Sequence, residues 1–407
     1  MLHGERPNAW VTVFLPFALG YYLSYLLRTV NAVISPDLTS DLGLSAADLG
    51  LLTSAYFLTF GAVQIPLGIA LDRYGPKRVE GVLLLLAAIG AAAFAMGESL
   101  GQLGLARGLI GLGVSACLMA GLKGFAMWYP PERQSSMTGY IMAAGAMGAL
   151  TASAPLEALL PILGWRGIFW VIAVVAAGIS LFIFVSLPND TRHDGKETIG
   201  QAFRSVGHIF AAPAFLRFAG SAMFFTGGFM ALQSLWAIPW LMNVNGMSLT
   251  RAASYLMVLN IGMLAGQLSI GMLGTRLNRR GVTPLNLIQA GFSLMLAVQI
   301  CILMQWGPVM MMWFLLGVLS SVNAQAYIAC ASSFQKEAFG RVSTAINLMA
   351  FLGAFVVQWG LGLILDLLQG WDWTMVGALK AAFVVLLALQ AVTLVPLLVK
   401  ARRRAGE

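Results

Sequence analysis

Runs of about twenty apolar residues recur along the whole chain, and a helix of that length is what crosses the hydrocarbon core of a bilayer. Twelve runs can be laid out, near residues 10–34, 48–71, 79–97, 100–128, 135–160, 165–187, 214–243, 250–273, 283–305, 308–333, 341–366 and 374–399. In lipid the backbone must satisfy its own N–H and C=O groups, so each run is expected to be a helix. The composition points the same way. Of the 407 residues 59% are hydrophobic and 10% charged, whereas a soluble domain carries about a quarter charged. The net charge of +8 lies scattered in short loops and forms no basic stripe, which argues against a nucleic-acid partner. Cys117, Cys301 and Cys330 all fall inside apolar runs without metal-ligand spacing and read as lone packed thiols. The polar stretch Met1 to Asn8 precedes a run that contains Arg28 and lacks a small-residue cleavage site, so a retained first helix is expected.

One connection is long. Residues 188–213 form a polar linker that divides the runs six and six, giving an N-terminal half over 1–187 and a C-terminal half over 214–407. The halves echo each other. The stretch that begins at Gly68 returns at Gly271, an offset of 203; Gly164-Trp165-Arg166 returns as Gly370-Trp371-Asp372, an offset of 206; Glu132 returns as Glu337, an offset of 205. A near-constant offset argues for an internal duplication, the construction of many proteins with a central site between membrane-embedded repeats. Orientation follows from Lys and Arg. If the N-terminus is inside, the inner loops carry Arg73, Lys77, Arg78, Arg133, Arg276, Arg279, Arg280 and the basic tail, while the outer loops carry Arg166 and Arg251. Both termini are therefore expected on the cytoplasmic side of the plasma membrane.

The loop after the second run, Gly68-x-x-x-Asp72-Arg73-x-Gly75 followed by Lys77 and Arg78, resembles the signature of the major facilitator superfamily. Arg107-x-x-x-Gly111-x-Gly113 in the fourth run, Trp128-Tyr129-Pro130-Pro131-Glu132-Arg133 and Gly164-Trp165-Arg166 are similar to that family too. The second copy of the loop departs from the pattern, with Thr275 in the acidic place and Asn278 in the glycine place. The resemblance covers the chain and implies an all-α fold of twelve membrane helices in two pseudo-repeats, working as a secondary transporter by alternating access. It also implies gating by Gly68, Asp72, Arg73, Gly75, Arg78 and Arg107, with Asp72 set against the N-terminus of the eleventh helix near Gly340, where a carboxylate is favoured.

Charges at bilayer depth are costly and each needs a reason. Arg28 shares a helical stripe with Tyr21, Ser24, Tyr25, Asn31 and Ser35, a polar face that predicts a cavity-lining first helix. A guanidinium there can take a carboxylate in a bidentate fork. The stretch from Tyr21 to Leu38 resembles the first helix of anion–cation symporters and organophosphate–phosphate antiporters, which implies that Arg28 meets a substrate anion. Phosphate antiporters pair that arginine with a second on the seventh helix, where about Met230 stands here, so a carboxylate is expected over a phosphate ester. Lys123, near the inner end of the fourth run, either lines the cavity or snorkels to anchor the helix end. In the second half the candidates are neutral hydrogen-bonding groups: Gln233 and Trp236 on one face at i and i+3, then Asn323, Tyr327, Asn347 and Gln358. Glu157 stands as the intramembrane carboxylate available for proton coupling. His3, His193 and His208 lie away from any nucleophile, and no phosphate-cradling Gly-x-x-x-x-Gly-Lys-Ser/Thr occurs, so neither an enzyme nor an ATP-driven pump is expected.

Proton-coupled uptake of a small organic anion by a monomer, without cofactor or metal, is the expectation that joins these features. A proton-driven exporter of a metabolite, siderophore or drug is the near alternative, and a ligand sensor without turnover is a further one.

Overall fold

The computed structural model describes residues 9–188, 199–335 and 338–399. The N-terminal tail, the central part of the linker with His193, the Lys336–Glu337 pair and the basic C-terminal tail lie outside the described residues.

Among the described residues there are twelve long helical rods and a linker helix. They are α1 (Trp10–Leu42), α2 (Ala46–Ala62 continued by Gln64–Tyr74), α3 (Pro76–Met96), α4 (Leu100–Trp128), α5 (Pro131–Thr151 with the turn Ala154–Glu157) and α6 (Leu160–Ser186). After a linker helix (Ile199–Phe210) come α7 (Pro213–Asn243), α8 (Leu249–Arg279), α9 (Pro284–Leu303), α10 (Val309–Ala331), α11 (Phe339–Gln369) and α12 (Met375–Leu398). Ten of these are long and apolar enough to cross a membrane on their own. The bent α2 qualifies as a pair, and the more polar α5 is the twelfth rod by position.

Local chemistry explains most breaks. α2 bends by 50° at Val63, just before Pro66, which cannot donate to the carbonyl four residues back. Gly164, at φ +62, kinks α6 in a conformation that side chains disfavour. α7 contains two π-helical turns, Ala222–Thr226 and Leu232–Trp236, each of which rotates the face that follows. The linker, expected to be simply polar, forms a helix over its second part that buries Val206 and Ile209 one turn apart.

Small residues set the closest approaches. A methyl at Gly148 of α5 would land on the Tyr22 carbonyl of α1, and one at Gly353 of α11 would land on the Met223 carbonyl of α7. The backbones therefore touch there, as small residues allow in lipid.

The two groups of six meet most firmly at the end of the bundle away from the basic loops. There the Asp366 carboxylate of α11 accepts from the first two N–H groups of α2, Ala46 N at 3.0 Å and Ala47 N at 2.9 Å. The third, Asp48 N, is capped by Ser45 Oγ at 3.1 Å, so donors that a helix start leaves orphaned are met partly from the opposite half. At the same end of the bundle Thr250 of α8 donates to Glu157 Oε1 at 2.7 Å.

Candidate functional site

At mid-depth, α1 and α2 face α10 and α11 across the interface between the halves. Arg28 is 6% exposed, and its guanidinium lies over Tyr25 (4.4 Å to the ring centroid), Phe60 (5.6 Å) and Phe351 (5.6 Å). Phe60 and Phe351 stack on each other at 4.3 Å, so the frame around the charge is built from both halves. Ring faces attract a cation but accept none of its N–H bonds strongly. Nε of Arg28 has no hydrogen-bond partner, and its electrostatic neighbours are the tyrosines 21, 25 and 56 rather than a carboxylate. On the facing side Tyr327 donates to Asn347 Oδ1 at 3.0 Å, and Tyr327 lies within electrostatic reach of Tyr25 and Arg28. A cation with a free donor, aromatic walls and a hydroxyl–amide pair opposite form a place for a small anion with polar substituents.

Arg107 has the same chemistry in a different setting. It is fully buried on α4, lies over Tyr56 (5.4 Å) and Phe94 (5.9 Å), and donates from Nη1 to the Leu27 carbonyl at 3.0 Å. It thus ties α4 to α1 one residue before Arg28, while its Nε and Nη2 are without partners.

Other expected site residues are engaged elsewhere. The polar stripe on α1 is largely helix-packing material: Asn31 donates to Thr53 Oγ1 of α2 at 3.0 Å, Ser35 bonds the Ala32 carbonyl at 2.9 Å, and both are buried. Tyr21 is buried against Tyr25 at 5.1 Å and directs its hydroxyl to Met142 Sδ at 3.7 Å. Gln233 and Trp236 do not act as a pair. Gln233 donates to Asn260 Oδ1 of α8 at 2.6 Å, whereas the Trp236 indole donates to the Gln358 carbonyl of α11 at 3.1 Å. The π turn that holds both residues breaks the simple i, i+3 geometry. Gln358 accepts from Ser234 at 3.1 Å, and Asn323 is buried with its Oδ1 unpartnered.

The gate at the basic face also differs from expectation. Asp72 pairs with Lys123 Nζ at 2.5 Å, and the same nitrogen donates to the Leu71 carbonyl at 2.7 Å. Asp72 therefore faces α4 of its own half, not α11, and Lys123 is tied up at the helix end rather than presented to a cavity. Arg73 and Arg78 are exposed, with Arg73 over Tyr74 at 5.5 Å. Gly75 links α2 to α3 at φ +79 and needs to be glycine; Gly68 has open space around it. Glu157, expected as the proton carrier, sits in the far-face contact with Thr250. The acid buried inside the bundle is Glu80, which lies one turn into α3 and is fully buried. In the sequence it stands at the very start of the run 79–97, just after Lys77 and Arg78, and is not singled out. Phe60, Phe351 and Asp366 also escaped the sequence reading, because an aromatic or a helix-end acid carries no signal of which half it will touch.

The chain belongs to the Major Facilitator Superfamily, whose family model matches residues 17–358. It is similar to a probable L-galactonate transporter of Escherichia coli K12, 29% identical over 209 residues; the match covers 51% of this chain and 46% of that transporter's length. The membrane sensor protein UhpC of Salmonella typhimurium is 23% identical over 392 residues, covering 89% of this chain and 86% of the sensor. The fold is that of a bacterial homologue of the human lysosomal transporter Spinster, with a TM-score of 0.77, 17% identity and 97% of both chains covered.

Proposed function

We propose that this protein is a secondary transporter that moves a small organic anion of the carboxylate or sugar-acid type by alternating access, with proton-coupled uptake as its direction. The observation that carries the reading is Arg28, a buried guanidinium with a free donor, framed by aromatic rings from both halves. A carboxylate bound there gains a charge-assisted hydrogen bond in a low-dielectric setting and contacts Tyr327 and Asn347 with its other polar groups. Anchoring both halves to one ligand makes their relative position depend on it, which alternating access requires. With the basic loops cytoplasmic by the positive-inside rule, the closed end held by Asp366 and Glu157 is the outer one, and the cytoplasmic Asp72 is disengaged from α11. A contact closed at the outer end and absent at the inner one supports the uptake reading. The likeness of about half of the chain to a probable L-galactonate transporter supports an acidic sugar as the first compound to try.

Thermal unfolding of the purified protein against a panel of sugar acids, other carboxylates and neutral sugars tests the reading. Saturating a site at a hundred times its dissociation constant adds about 2.7 kcal/mol to the folded state. Sugar acids are expected to raise the midpoint of the parent and not of Arg28→Ala; stabilisation by neutral sugars alone would remove the anion assignment. The similarity to UhpC supports a second reading, a ligand sensor with the same pocket. Binding without exchange of labelled L-galactonate across proteoliposomes would favour it over transport.

A further inference from the structure

α3 begins at Pro76 and its counterpart in the other half, α9, begins at Pro284. Four residues beyond each proline both helices bury a side chain completely, Glu80 in one and Ile288 in the other. The same place in the repeat is filled by an aliphatic chain, so packing alone does not call for a carboxyl.

Both carboxyl oxygens of Glu80 are buried without a hydrogen-bond partner meeting ordinary geometry. α1 lies directly on the group: a methyl at Gly20 would fall on Oε1, and Leu84 closes the same contact. From α4 the neighbouring titratable group is the buried Cys117 thiol, a weak donor. Among the described residues no charge answers it. On α3 itself Lys77 donates to the Leu187 carbonyl at 2.6 Å and Arg78 is exposed. Lys123 of α4 and Asp72 of α2 are paired with each other. Arg107 lies beside Phe94 at the opposite end of α3, and α6 presents Ser180 and Phe184 to Gly81. Tyr21 of α1 turns its hydroxyl to Met142.

A carboxylate sealed from water with no cationic partner is far less favourable than a protonated carboxyl with a weak thiol contact. We propose that Glu80 is a proton-binding site of the first six helices and carries a proton in this conformation. The chemistry is transfer of one proton from hydronium to a carboxylate oxygen: an O–H bond of hydronium breaks, leaving water, and the carboxyl O–H bond forms. Because α1 covers the carboxyl, exchange with water requires α1 to shift. That helix also bears Arg28 eight residues from Gly20, about 12 Å along the axis. Proton and anion thus act on one helix. The assignment rests on the proton-coupled reading above, and names the residue that reading lacked once Glu157 proved to be a far-face contact.

The test is infrared spectroscopy of the full chain in nanodiscs, taking the difference between neutral and alkaline pH for the parent, Glu80→Gln and Glu80→Ile. Thermal midpoints show that each variant is folded; Glu80→Ile copies the arrangement at Ile288 and is expected to be at least as stable as the parent. The parent should show a protonated-carboxyl stretch at neutral pH that both variants lack. If the parent has no such band, or Glu80→Ile retains it unchanged, the assignment is overturned. In proteoliposomes given L-galactonate, the variants should keep exchange between the two sides and lose accumulation driven by a pH gradient. Undiminished accumulation in either variant also overturns the assignment. Failure of the parent itself to accumulate or exchange the sugar acid counts against the transport reading, and the infrared band then decides the proton site by itself.

Discussion

The two halves differ in what they bury. Among the described residues, the first six helices bury three side chains of charge-bearing type, Arg28, Glu80 and Arg107, while the buried polar side chains of the last six are neutral, among them Gln233, Asn260, Gln299, Asn323, Gln358 and Gln390. Those amides are partly occupied with one another: Gln299 donates to Gln390 Oε1 at 3.0 Å, Gln390 donates to the Phe224 carbonyl at 3.0 Å, and Gln233 meets Asn260, while Gln299 Oε1, Asn323 Oδ1 and Gln358 Nε2 are without a partner. The charges in the first half are left incompletely satisfied, with free donors on both arginines and free acceptors on Glu80. Neutral hydrogen-bond networks fix helices in place. Under-satisfied charges respond to ligands and protons, so in the proposed function the first half is the chemical half and the second is the frame against which it works.

The sharpest way to break this comparison is at Arg28. Arg28→Ala should weaken anion binding by about 2–5 kcal/mol, the range for losing one partner of a buried charged pair, as read by isothermal titration with the best sugar acid of the panel. Arg107→Met should leave that affinity within about tenfold, or 1.4 kcal/mol, because Arg107 is bonded to the Leu27 carbonyl and acts on helix position. Equal losses at both arginines would mean that they work as one site. At the junction between the halves, Asp366→Ala removes the acceptor for two N–H groups of α2 and should cost about 1 kcal/mol, as loss of a helix cap does. Spin labels placed at the outer ends of α2 and α11 should then report a longer separation, and an unchanged distance distribution would show that the latch does not hold the halves. The smallest effect is expected in the frame. Gln233→Leu breaks one buried amide pair and should lower stability by about 0.6 kcal/mol, the average for such bonds in a membrane protein. A large loss of ligand affinity in that variant would place Gln233 at the substrate and blur the division between the halves.

Gly75 and Gly164 show how local features could be read in advance. Each sits where the chain needs a positive φ at a helix junction or kink, and each lies in a motif visible in the sequence. Arg28 was also legible, since a lone arginine in an apolar run has few explanations. Lys123 and Asp72 illustrate the opposite case. Asp72 was expected against α11 and Lys123 in the cavity or snorkelling, but they are 51 residues apart in sequence and meet at one helix end. Nothing in the local pattern of either residue specifies that contact.

The sequence by itself determined the membrane-embedded class, the twelve helices, the internal repeat and the presence of a buried cation. These follow from hydropathy, segment length and the cost of charge in lipid, which act through neighbours along the chain. Only the tertiary structure decided that Phe351 and Phe60 frame Arg28 jointly, that Asp366 caps α2 from across the molecule, and that Glu80 is sealed under α1 while Glu157 is drawn into the far-face contact. Those outcomes depend on which helix faces meet and at what depth, and side-chain periodicity shows a face without showing its partner.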